Sequence, residues 1–248
     1  MGGLGHQLEE RGLPTTQISL IRKHSEITQP PRALWVPFEL GRPLGVPGDA
    51  AFQRRVLEAV LRLLERKEGP VLEDWDEEAP ASGADSEGWA CPIPLRVGEA
   101  ADPATDPVAA LDAEILGLIP WYERARSARG RTTVGVSGLD IRDAGRLVAE
   151  FLEPPWPDNP RSDLSRAEVF KLACEDLKAF YLEAISAQPG APGPARLADW
   201  FWGETLAGEI MLRLKPICLS SDDSEMRFIG KVILVPRAQA HRVPDAPA

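Results

Sequence analysis

The period of the apolar positions changes part-way along the chain, and the change divides it. Leu4 and Leu8, framed by polar residues and stopped at Gly12, predict a short helix. Pro14 to Ile21 is β-branched and partly alternating, and Ala33 to Pro37 behaves similarly, so both read as strands. Between them Ser25 to Gln29 predicts one helical turn, ended by Pro30 and Pro31. After a Gly- and Pro-rich loop from Gly41 to Gly48, Asp49 is placed to cap a helix reaching about Arg66. Phe52, Val56, Val60 and Leu63 form its apolar stripe, with Leu57, Leu61 and Leu64 beside it. Pro70 to Leu72 adds a short strand.

From Asp106 onward a helical period dominates. Asp106 and Pro107 make an N-cap and first-turn pair, followed by Val108, Leu111, Ile115, Leu118 and Tyr122, with a kink expected at Pro120. Thr132 to Val136 predicts a short strand. Asp140 opens a helix through Ile141, Ala144, Leu147, Val148 and Phe151, closed by Pro154 and Pro155. Ser165 with Glu168 fits a capping box ahead of Val169, Ala173, Leu177, Phe180 and Ala184. Gln188 to Pro194 reads as a hinge, and one helix is expected from about Ala195 to Leu214. Met226 to Val235 is a helix or a buried strand, the capping residues Ser221 and Asp223 favouring helix.

The expected fold class is therefore α/β: a partial doubly wound sheet unit at the amino terminus, then a mainly helical carboxy-terminal region. The boundaries read as an α/β unit over 1–72, an acidic loop or linker over 73–106 and a helical region over 107–248. A doubly wound sheet feeds each helix from a strand, and none precedes the first helix. Either Met1 is an assigned start inside a longer frame, or that strand is lost from this protein.

Charge narrows the function classes. The 248 residues carry 28 Lys plus Arg against 38 Asp plus Glu, a net −10. Gly69 to Asp106 holds ten acidic residues and only Arg96 on the basic side, so −9 of that total sits in one segment. Neither nucleic acid nor an anionic membrane is an expected partner, because both require a surplus of basic residues on some surface. No apolar run of about 18 residues exists to span a bilayer. The first ten residues lack a secretory pattern, so the cytoplasm is the expected compartment. Trp75 and Trp89 stand out in the acidic segment as residues that would pin it to a folded surface.

Candidate chemistry is sparse. Cys91, Cys174 and Cys218 are far apart and form neither a disulfide framework nor a zinc site. Cys174 and Cys218 read as packing residues, and the acidic surroundings of Cys91 raise rather than lower a thiol pKa. No metal spacing links His6, His24 and His241, and no cofactor motif is evident. His24 and Glu26 follow the first strand, where an α/β crevice opens, and are candidates to bind a ligand or move a proton. Glu39 and Arg42 lie in a loop whose Gly41 and Gly45 allow close backbone approach to a ligand or another strand. Trp200 and Phe201 read as core, and Trp202, on another helix face, as a partner or pocket contact.

The run Gly12-Leu13-Pro14-Thr15-Thr16, then Trp35-Val36-Pro37-Phe38-Glu39-Leu40-Gly41-Arg42-Pro43-Leu44-Gly45-Val46-Pro47 and a helix from Ala51, resembles component B of the glycine, sarcosine, betaine and D-proline reductases. The likeness covers about a quarter of the chain. It implies an α/β fold and reductive cleavage of a substituted amino acid, or a retained pocket for such a ligand. The family's selenocysteine or cysteine motif precedes the helix that corresponds to Gly3 to Gly12. Here Met1 and Gly2 stand at that place, and no cysteine precedes Cys91. The other reading is a non-enzymatic subunit that binds a protein partner, or a second copy of itself, through its aromatic surface and acidic segment.

Overall fold

A computed structural model of the chain describes residues 2–79, 101–187 and 194–244. It divides the chain into two units, Met1–Gly83 and Ala84–Ala248.

The first unit runs α1 (Gly2–Glu9), β1 (Gln17–Ser19), α2 (Arg22–Thr28), β2 (Arg32–Trp35), α3 (Ala50–Arg62) and β3 (Val71–Asp74), with a 3-10 turn, Leu63–Glu65, closing α3. The three strands form one parallel sheet in the order β1-β2-β3. Ile18 lies opposite Leu34, and Leu34 opposite Glu73. Because successive strand residues point to opposite faces, the sheet has two separately covered sides. On one, Leu34 and Val36 pack with Phe52, Val56, Val60 and Leu63 of α3 and its closing turn. On the other, buried Ser25 of α2 donates a hydrogen bond from Oγ to Ser19 Oγ at 2.5 Å. Helices on both faces are the doubly wound arrangement that the alternating pattern predicts.

Both early strands are shorter than their β-branched runs. Thr15 and Thr16 are spent elsewhere: the Thr15 hydroxyl donates to Glu9 Oε1, and the Thr16 hydroxyl to the carbonyl of Val60. Conversely, the single turn expected at Ser25 to Gln29 is the end of a longer helix, α2, which closes on Gln29 in the left-handed region. Trp75 does pin the start of the acidic segment, packing edge-on against Phe52 at 6.1 Å. Trp89 lies outside the described residues.

The second unit contains α4 (Pro107–Arg129), α5 (Ile141–Glu150), α6 (Arg166–Ile185), α7 (Pro194–Glu204), α8 (Leu206–Leu219) and α9 (Ser224–Phe228). A π turn, Ile229–Ile233, continues α9, and a 3-10 segment, Arg237–Arg242, follows. Asp106, Asp140 and Ser165 cap α4, α5 and α6 as their sequence positions predict, Ser165 in a full capping box with Glu168. Leu111, Phe151, Phe170, Leu177, Tyr181 and Trp200 are among the fully buried side chains of the core.

α4 continues through Pro120 as one helix. That proline and Leu116, whose carbonyl loses its partner, both lie on the exposed side, where water can satisfy the orphan group. Thr132 to Val136 forms no strand, because its polar groups turn to carboxylates on α6 rather than to a neighbouring strand. The helix expected over 195–214 is two helices. Thr205 breaks it, accepting from the Gly208 N–H at 3.1 Å as the cap of α8 while donating to the Phe201 carbonyl at 2.6 Å. Trp202 is buried, at 6% exposure, with its ring edge-on to Phe201, so it is a core residue.

Candidate functional site

In a parallel sheet every strand ends at the same edge, and ligands of open α/β folds bind outside that carboxyl edge. The residues that follow β1, β2 and β3 are thereby gathered. Arg22 opens α2 directly after β1, and Asp74 ends β3. The Arg22 Nε–H donates to Asp74 Oδ1 at 3.1 Å and Oδ2 at 3.2 Å, spanning the sheet edge. The same guanidinium holds Glu26 one turn along α2. After β2, Arg42 stands 3.8 Å from Glu39 in the turn-rich loop.

The four residues singled out from sequence thus fall into two groups. Glu39 and Arg42 are brought together as a pair. Glu26 is joined to Arg22 and through it to Asp74, whereas no hydrogen bond among the described residues links it to His24, an exposed residue of α2. Arg22 and Asp74 went unnoticed in the sequence; their signal is that one begins the helix after a strand and the other ends a parallel strand. The glycines are used differently from one another. Gly41, at φ +91°, needs its conformation only, while a Cβ on Gly45 would meet the Phe52 ring at 2.6 Å. The close approach at Gly45 is therefore to the unit's own core.

At the opposite edge of the sheet a buried cation serves structure. Arg32, at the start of β2, donates to Glu9 Oε1 at 2.6 Å and to the Arg66 carbonyl at 2.8 Å. The Thr15 backbone N–H foremost, then its hydroxyl and Arg32, hold the Glu9 carboxyl below its ordinary range against some desolvation. This cluster ties α1 to the sheet.

Among the described residues the helical unit carries three buried carboxylates. Asp176 on α6 accepts from the backbone N–H groups of Gly135, Val136 and Ser137 at 2.7, 3.0 and 2.9 Å, and from the Ser137 hydroxyl at 2.5 Å. Glu183, two turns on, accepts from the Thr133 N–H and hydroxyl, both at 2.8 Å, and from the Thr132 hydroxyl at 2.9 Å. Burial alone would raise Glu183, yet these donors and Arg129 bring it below its ordinary value. Glu114 on α4 accepts from the Tyr181 hydroxyl at 2.7 Å and from the Leu206 and Ala207 N–H groups that open α8. Burial first, and then the adjacent Glu114 charge, push the Tyr181 phenol up. A carboxylate beneath a helix amino terminus suits the partial positive charge there. All three act as internal anchors. Among the described residues no cluster of three or more His, Cys, Asp or Glu is arranged to hold a metal ion.

The two described thiols are poorly suited to nucleophilic work. Cys174 and Cys218 are unpaired and buried. Desolvation pushes Cys218 up to about 12 and Cys174 higher still, so neither carries a useful thiolate fraction at neutral pH. Cys91 lies outside the described residues. No described helix is long and apolar enough to cross a membrane. Comparison with protein-family models, with characterised proteins and with solved structures finds no match to this chain.

Proposed function

We propose that the protein binds a small zwitterionic ligand, of the substituted amino acid kind, at the carboxyl edge of its parallel sheet. The observation that carries this reading is that the segments leaving that edge carry paired opposite charges: Glu26, Arg22 and Asp74 in one group, Glu39 and Arg42 in the other. A carboxylate exchanges with an acidic member of such a pair to reach an arginine, and an ammonium is received by the carboxylate released. The partial likeness to component B of the amino-acid reductases supports the same ligand class. Reductive cleavage would require a reactive thiol or selenol from outside the described residues, so the reading is ligand capture and not turnover by Cys174 or Cys218. Two unpaired thiols fit a reducing, cytoplasmic setting.

Titration calorimetry of the full chain against glycine, sarcosine, betaine and D-proline tests this. Saturable binding of at least one is expected, weakened about tenfold or more in Arg22→Ala and Arg42→Ala as a charge-assisted contact is lost. Absence of binding by all four, or binding that both variants leave unchanged, overturns it.

A second reading, a partner-binding subunit, is favoured by the apolar surface of the first unit. Leu4, Leu13, Ile21, Ile27, Leu40 and Leu61 are each more than half exposed there. Retention of partners on the immobilised chain, lost when these leucines and isoleucines are changed to Glu, is its expected result.

A further inference from the structure

Helix α3 buries one stripe and leaves a second in water. Phe52, Val56 and Val60 face the sheet, while Leu57, Leu61 and Leu64 are 42%, 55% and 39% exposed. Their spacing of four and three residues puts them on one continuous face of the helix and its closing turn. One flank of that stripe rolls into the unit: Val60 is buried, and Gln53 donates to the Val46 carbonyl at 2.8 Å. The other flank carries Arg54, Glu58, Arg62 and Glu65, all exposed. None of these four forms an ion pair among the described residues, in contrast to Arg55 and Arg66 farther round, which bind Glu77 and Glu73.

The order of those charges is self-complementary under a two-fold axis. In an antiparallel helix pair the same flank of each helix faces its counterpart, whereas in a parallel pair opposite flanks meet. With the axis passing near Val60, Leu57 of one copy packs against Leu61 of the other, Arg54 reaches Glu65 and Glu58 reaches Arg62, each contact occurring twice. The parallel arrangement would set the charged flank against Gln53 and Val60 and satisfy none of the four. We infer that the exposed face of α3 is a homodimer contact, in which Leu57, Leu61 and Leu64 pack antiparallel against the same stripe of a second copy. An isologous patch of this kind is what closed two-fold assembly requires. Three leucines and four ion pairs make a small interface, so the dimer is weak, with Kd on the order of 10–100 μM. This contact is independent of ligand capture at the sheet edge.

Sedimentation equilibrium of the full chain is the test. A reversible monomer-dimer equilibrium is expected over about 5–500 μM, a span that brackets the expected Kd. Leu61→Glu should leave the circular dichroism spectrum unchanged and the chain monomeric throughout. Arg54→Glu and Glu65→Arg should each weaken association about tenfold by setting like charges face to face, and the double variant Arg54→Glu/Glu65→Arg should restore it. A wild-type chain that stays monomeric, a dimer that survives Leu61→Glu, or a charge swap without restoration overturns the inference. Because the sheet-edge residues are untouched, calorimetry on the Leu61→Glu monomer reports ligand capture separately.

Discussion

Asp176 and Glu183 show how a side chain can substitute for a strand. Thr132, Thr133, Val134 and Val136 have the composition of a strand, and sequence periodicity assigns them one. In the structure the donors of Thr132, Thr133 and Val136, with those of Gly135 and Ser137, converge on two carboxylates about two turns apart on α6, while the Val134 N–H turns back to the Thr132 hydroxyl. Nothing in the local sequence marks which distant acid supplies the acceptor, so that outcome was not legible. The consequence for stability has a definite sign. Because Glu183 titrates below its ordinary 4.5 in the folded chain, its contribution is present above that pH and is lost as pH falls through the lowered value. Glu183→Gln should cost about 1–2 kcal/mol at neutral pH, by mismatching one of three hydrogen bonds, with the deficit shrinking in acid. Urea midpoints of both proteins at neutral and acidic pH check this; a deficit independent of pH would refute it. Glu39 and Arg42 were legible as charged neighbours in a Gly-rich loop, and their pairing with each other is a finding of the structure. The joining of Glu26 to Asp74 was not legible, because the partners are 48 residues apart and meet only through Arg22.

At the scale of elements, capping residues were the most informative letters in the chain. Asp49, Asp106, Asp140 and Ser165 all accept from the first turn of the helices they were expected to open. Thr205 performs the same service and was overlooked because apolar residues continue on both sides of it, from Trp200 to Leu214. At the corner between α7 and α8 the backbone comes closer to a glycine than at any other described glycine. A Cβ on Gly208 would stand 2.0 Å from the Phe201 carbonyl oxygen and 3.0 Å from the Trp202 Cα, both backbone atoms that cannot swing aside. Gly208→Ala should therefore destabilise the helical unit by about 3 kcal/mol or more, whereas Thr205→Ala, which removes a cap, should cost about 1 kcal/mol. Chemical denaturation of the two variants measures the ordering, and a Gly208→Ala protein as stable as the parent would contradict it.

For the whole molecule, the change in apolar period after the acidic segment was enough to forecast an α/β unit followed by a helical one. The reason is that each builds its core from its own stretch of chain. Leu34, Val36, Phe38, Phe52, Val56, Val60 and Leu63 make one cluster, and the residues from Ala110 to Val235 make another, with no member in common. That separation bears on cooperativity. Two cores with no shared side chain give the chain two sources of unfolding enthalpy, so one melting temperature does not describe it. Calorimetry should yield a calorimetric enthalpy larger than the van't Hoff value. Val60→Ala should lower the midpoint of one component, and Leu177→Ala that of the other. A single transition with equal enthalpies, shifted by both substitutions, would mean that the two cores melt as one thermodynamic body.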